Sequence, residues 1–189
     1  MNADLFMAAA GRIVGRETAA RYASKFGDLD AAAFTNEILG YEALAFNIYS
    51  TGMGWHIEIN RQLWSGSPSP EVEQFARVLD GGLRKLPPYA FKEGVVYRGY
   101  FARHLAKFCE TYPAGAEISF PAFTSAAFRE ETAFGGNVLF IIRALSARAI
   151  WFLSADYLED EVLFPTGCRF RVNGSEMQGE KAVIGLQEI

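Results

Sequence analysis

The chain has 189 residues, 50% of them apolar and 21% charged, a balance that lets one domain bury a sizeable core. A formal net charge of −4 and a pI near 5.3 argue against broad binding to nucleic acid or to anionic membranes. No apolar run approaches the roughly 20 residues that a membrane span needs, and Met1–Phe6 lacks the basic and apolar stretches of a signal peptide.

The first ninety residues read as helical. Ala8-Ala9-Ala10 and Ala31-Ala32-Ala33 favour helix. Asp28 and Asp30 are candidate N-caps for a helix through Phe34, Ile38 and Leu39, which Gly40 interrupts or ends. Glu42–Tyr49 is a short helix broken by Gly52-Met53-Gly54, and Trp55–Trp64 forms another. Ser65–Pro70 is a loop. Glu71–Leu86 then carries Val72, Phe75, Val78, Leu79, Leu83 and Leu86 on one helical stripe, and Pro87-Pro88 stops it.

From Gly94 the periodicity changes to that of strands, as short β-branched and aromatic runs bounded by Gly, Pro, Ser and Asn. Strands are predicted at 94–100, 117–120, 123–127, 137–142, 149–153, 161–164, 170–173 and 182–188, with a helix over 104–112. The implied fold class is α+β: a helical lobe over 1–90, then a curled, mainly antiparallel β-sandwich over 91–189, together one domain.

The chemistry rests on few residue types. Cys109 and Cys168 form no C-x-x-C pair and are expected to be free thiols. His56 and His104 lack metal-like spacing, so no metal is expected. Two histidines also give few routes to a Ser-His or Cys-His pair, which leaves carboxylates and arginines.

In Gly94-Val95-Val96-Tyr97-Arg98-Gly99-Tyr100, Val96, Arg98 and Tyr100 share a strand face. Arg98 keeps its proton, so burial demands an anionic partner. It reads either as a structural ion pair or as a clamp for phosphate, with Gly99 permitting close approach of a ligand. Ser125 alone is an ordinary strand serine. In Tyr157-Leu158-Glu159-Asp160-Glu161-Val162-Leu163-Phe164-Pro165, Glu159 and Glu161 fall on one side and Asp160 faces away. Three successive acids usually mark a solvated loop. The abrupt entry into Val162-Leu163-Phe164 instead puts Glu161 at the lip of the core.

Arginine on an early strand, serine on a middle strand and Glu-x-Glu entering a late one resembles the R-S-E group of mono-ADP-ribosyltransferases, which includes arginine-specific bacterial toxins and effectors. The resemblance covers roughly residues 40–189. Tyr41-Glu42-Ala43-Leu44 through Tyr49-Ser50, then Ile59-Asn60-Arg61-Gln62-Leu63, looks like that family's helical lobe. Leu86-Pro87-Pro88-Tyr89 before Val96-Tyr97-Arg98-Gly99 matches the approach to its arginine strand.

The resemblance implies transfer of ADP-ribose from NAD⁺, as co-substrate, to an arginine of a target protein. Arg98 would hold the phosphates, Gly99 would offer its backbone to nicotinamide, and Ser125 would fix Glu161 and contact the ribose. Glu161 would be the catalytic carboxylate and Glu159 the selector of arginine, with Tyr157 and Asp156 on the turn that meets the target. Alternatives on the same fold are NAD⁺ hydrolysis, modification of RNA, or a catalytically weak partner-binding module. A delivered toxin or effector, exported by other machinery into a recipient cytosol, is the implied setting, with an immunity protein as a further candidate partner. Two departures stand out. The family's Ser-Thr-Ser is here Ser125-Ala126-Ala127, and Trp64 occupies a position where many relatives carry arginine. Phe128 and Phe134 are candidates to stack on nicotinamide, although core packing is the expected role of each.

Overall fold

The computed structural model describes residues 2–33, 37–154 and 160–189. The chain forms two compact units, Met1–Pro87 with Ile150–Leu158, and Pro88–Ala149 with Glu159–Ile189.

The first unit is helical: α1 Ala3–Val14, α2 Arg16–Ala23, α3 Gly40–Tyr49, α4 Trp55–Ser65 and α5 Pro70–Lys85. Asn2 caps α1 by accepting the Leu5 N–H, and Ser69 caps α5 by accepting that of Val72, each satisfying a donor the helix leaves open. The predicted stripe of α5 is buried in full, from Val72 to Leu83 and on to Leu86. Every residue of α3 is buried. Its one carboxylate, Glu42, reaches back to the Leu39 N–H at 2.9 Å and accepts from Lys85 Nζ at 2.7 Å, the pairing that a buried charge requires. No helix among the described residues is long and apolar enough to cross a membrane.

Of the helix expected through Phe34, Ile38 and Leu39, Phe34 lies outside the described residues, and residues 28–33 and 37–39 are not helical. The Asp28 carboxylate accepts the Asp30 N–H instead, a local turn that competes with helix. Ala32 and Leu39 form an antiparallel bridge, and Gly40 starts α3 rather than ending a helix. A Cβ on Gly40 would lie 2.7 Å from Leu29 Cα, so this close approach requires glycine.

The second unit is built on one eight-stranded sheet: β1 Val95–Tyr100, β2 Glu117–Phe120, β3 Thr124–Ala127, β4 Val138–Arg143, β5 Arg148–Ala149, β6 Glu161–Phe164, β7 Cys168–Gln178 and β8 Lys181–Glu188, with α6 Leu105–Glu110 between β1 and β2. Strand order is β2-β7-β8-β4-β1-β3-β6-β5. Among the described residues only β4 with β8 is a parallel pair, so the sheet is mainly antiparallel, as expected. Its core joins Val96, Phe140, Ile142, Phe164, Phe170 and Leu186. Phe108 and Tyr112, in and just beyond α6, close edge-on to Phe140 with ring centroids 6.2 and 5.3 Å away.

The strand expected over 149–153 is cut short at Ala149. The N–H groups of Leu153 and Ser154 both turn back to the Ile150 carbonyl, so the aromatic run Trp151-Phe152 lies in a turn despite its strand propensity. Conversely, β7 extends well beyond the predicted 170–173.

Candidate active site

Three strands of the sheet unit carry Arg98, Ser125 and Glu161. The strand β3 pairs with β6 through four positions, among them Ser125 with Leu163 and Ala127 with Glu161. Ser125 and Ala127 point to one face because side chains alternate along a strand. Ser125 therefore reaches Glu161 diagonally, and its hydroxyl donates to Glu161 Oε1 at 2.9 Å. On the other side, Arg98 Nη1 donates to the Ser125 carbonyl at 2.6 Å. Ser125 thus links guanidinium to carboxylate, its main chain serving one and its side chain the other. Glu161 is only 7% exposed. A carboxylate buried that far is kept in place by hydrogen bonds rather than by solvent.

The β1–β3 junction is thin. These strands share one register position, Tyr97 with Ala127, whereas β1 pairs with β4 along its whole length. From Arg98 onward, the side of β1 turned toward β3 has no strand neighbour. The close approach at Gly99 is made by the chain itself, because a Cβ there would collide with the Phe134 carbonyl. Asn137 pins the same two segments together: its Oδ1 accepts the Ala102 N–H at 2.8 Å, and its Nδ2 donates to the Ala102 carbonyl at 2.9 Å.

Phe134 is 80% exposed, which overturns the core role expected for it. Gly99 explains the outcome: the Phe134 backbone occupies the space beside β1, so its ring is turned outward. Phe128 does pack on the core, stacked on Tyr89 at 6.0 Å between centroids. Behind β1, Tyr100 stacks on Phe108 at 5.0 Å. Burial raises the pKa of Tyr112, Tyr100 adds to that, and Arg98 opposes it, so this phenol stays neutral at physiological pH.

Asp160 was expected to face away from the two glutamates, and it does carry separate contacts. Its main-chain carbonyl accepts the Phe128 N–H at 3.0 Å. Its carboxylate accepts from Arg129 Nε and, at 3.0 Å, from Thr132 Oγ1. Sequence reasoning missed Arg129, Thr132 and Asn137. Only the acidic position of Asp160 and the bare Arg129 ahead of Glu130-Glu131 hinted at such a clasp. Glu159, Tyr157 and Asp156 lie outside the described residues. Ala126 and Ala127, which replace the usual hydroxyls, are both buried. In the helical unit, Tyr49 and Asn60 of the family-like pattern meet at 2.9 Å, and Trp64 is 55% exposed. Cys109 and Cys168 are thiols and not a disulfide pair.

Residues 20–189 match the family described as NAD:arginine ADP-ribosyltransferase. The chain belongs to that family. It is 33% identical over 184 residues to the NAD(+)--protein-arginine ADP-ribosyltransferase Tre1 of Pseudomonas putida, covering 93% of this chain and 35% of that protein. To Tre1 of Serratia proteamaculans it is 35% identical over 133 residues, covering 69% of this chain and 28% of that one. The chain thus spans about a third of the length of these curated relatives. Among solved structures, it is similar to the ADP-ribosyltransferase Vis in complex with agmatine, at 26% identity and TM-score 0.68, covering 92% of this chain and 85% of that one; Vis is a toxin from Vibrio splendidus. It also shares the fold of HopU1 of Pseudomonas syringae, at 19% identity and TM-score 0.76, covering 90% of this chain and 87% of that one.

Proposed function

We propose that this family member transfers ADP-ribose from NAD⁺ to an arginine of a target protein and releases nicotinamide, with both units forming one catalytic domain. The observation that carries this reading is the continuous contact from Arg98 through Ser125 to a buried Glu161.

The chemistry asks for little acid catalysis. When the ribose C1′–nicotinamide bond breaks, its electron pair leaves with a ring that becomes neutral. The demand falls on positive charge at C1′, as in glycoside hydrolysis. Glu161, held by Ser125 and shielded from water, supplies a preorganised negative charge for the ribose 2′-hydroxyl. Arg98 offers a fixed cation to the phosphates, and Gly99 offers its main chain to the nicotinamide amide. The exposed Phe134 ring is placed to stack on that ring system. An acceptor guanidinium is protonated and therefore a poor nucleophile. Glu159 orients it, and takes its proton as the bond from C1′ to the arginine nitrogen forms. The agmatine held by Vis carries a guanidinium, which supports an arginine-like acceptor. A toxin or effector role, delivery into a recipient cytosol and a neutralising immunity partner belong to the same reading.

The test is to incubate the protein with labelled NAD⁺ and a cell lysate. Label on protein, lost in Glu161→Ala by roughly a thousandfold, is the expected result. Glu159→Gln is expected to abolish arginine modification while leaving part of the NAD⁺ cleavage. Arginine transfer persisting in that variant would remove Glu159 from its role, and free nicotinamide without protein label would favour hydrolysis.

A further inference from the structure

We propose that Asp160 is a positioning residue, which closes the open end of the β3–β6 ladder and so keeps Glu161 in register with Ser125. The proposal rests on the reading of Glu161 as the catalytic carboxylate.

The ladder's last register pair is Ala127 with Glu161. At that point the two strands would part. The Phe128 N–H carries the pairing one bond further, to the Asp160 carbonyl at 3.0 Å. The Asp160 side chain then gathers Arg129 Nε and Thr132 Oγ1, and Thr132 Oγ1 also donates to the Arg129 carbonyl at 3.1 Å. The segment leaving β3 is thereby tied to the residue that enters β6.

An isolated surface ion pair would contribute little. This one differs in two respects. The Asp160 side chain is 15% exposed, against 54% for Arg129, so the carboxylate sits in a lower dielectric than an ordinary surface pair. Its two side-chain contacts also stand beside a main-chain bond from the Phe128 N–H to the carbonyl of the same residue, so the contacts reinforce one another.

The sequence of β3 gives such a clasp work to do. Ala127 stands directly across from Glu161 and has no hydroxyl to offer it, and Ala126 offers none either. Ser125 is the one hydroxyl of β3 that holds the carboxylate, and its bond is diagonal. A small slip or fraying at the ladder's end would lengthen it. Asp160 prevents that slip from outside, through the backbone, while its own carboxylate stays turned toward Arg129 and Thr132.

The experiment measures kcat and KM for nicotinamide release in the parent, Asp160→Ala, Arg129→Ala and the double variant. Each single change is expected to lower kcat about tenfold, with KM for NAD⁺ held within about twofold. The double variant is expected to fall no lower than the weaker single, because both changes break one clasp. Ala127→Ser, which returns a hydroxyl opposite Glu161, is expected to raise kcat more in Asp160→Ala than in the parent. Unchanged kcat in both singles, fully additive losses, or no difference between backgrounds for Ala127→Ser each overturn the proposal. If Asp160→Ala does not fold by circular dichroism, Arg129→Ala and Thr132→Val decide the matter, since both alter the exposed side of the clasp. An inactive parent protein defeats the transferase reading itself, a result distinct from any of these.

Discussion

The strand β3 has two neighbours, and they hold it in different ways. Against β6 it runs through four register positions and is closed at the end by Asp160. Against β1 it meets one position, and the remaining tie is the Arg98 guanidinium on the Ser125 carbonyl. One side is a continuous ladder that fixes a carboxylate. The other is a joint of one register position, beside which the Phe134 backbone comes up against Gly99. The proposed site, which would grip a reacting ribose and admit a dinucleotide, draws on both kinds of edge.

That contrast can be broken from either side. Among Arg98, Ser125 and Gly99, the largest effect is expected from Arg98→Gln, which removes the guanidinium from the joint and the cation proposed to hold the phosphates. A loss of about a hundredfold in kcat/KM is expected, in line with about 3 kcal/mol for a charged hydrogen bond, and carried mainly by KM for NAD⁺. Steady-state kinetics of nicotinamide release measure it, and a loss confined to kcat would erase the distinction between the two edges. Ser125→Ala should do the reverse, lowering kcat about tenfold by freeing the Glu161 carboxylate and leaving KM nearly unchanged. Gly99→Ala is expected to show as lost stability. Its Cβ would press on the Phe134 carbonyl and cost about 1–3 kcal/mol of stability, read by urea unfolding as a lower midpoint at constant slope.

Much of this was legible from residue order. Glu161-Val162-Leu163-Phe164 declared itself because an acid entering an apolar run can only sit at the lip of a core. The α5 stripe was legible because its repeat is long and unbroken. Local competition hid other elements. Asp28 spends its side chain on a turn, so a cap-like residue preceded no helix, and Trp151-Phe152 has strand composition inside a hydrogen-bonded turn. The clasp escaped because Arg129 and Asp160 are 31 residues apart and neither lies in a recognisable motif. Phe134 was misjudged for a related reason: its fate depends on Gly99, and that approach exists only once β1 and the 134–137 segment are brought together.

The parallel pairing of β4 with β8 has a bearing on how the protein comes to exist. The strand β8 is the last of the eight in the chain, yet it lies inside the sheet between β7 and β4. During synthesis, Arg98, Ser125 and Glu161 have all been made while one edge of β4 still faces water, a template for pairing with other chains. Closing the sheet then depends on contacts between segments far apart in sequence, which form slowly. The sheet that carries Arg98, Ser125 and Glu161 is therefore completed late, after residues 181–188 have been made.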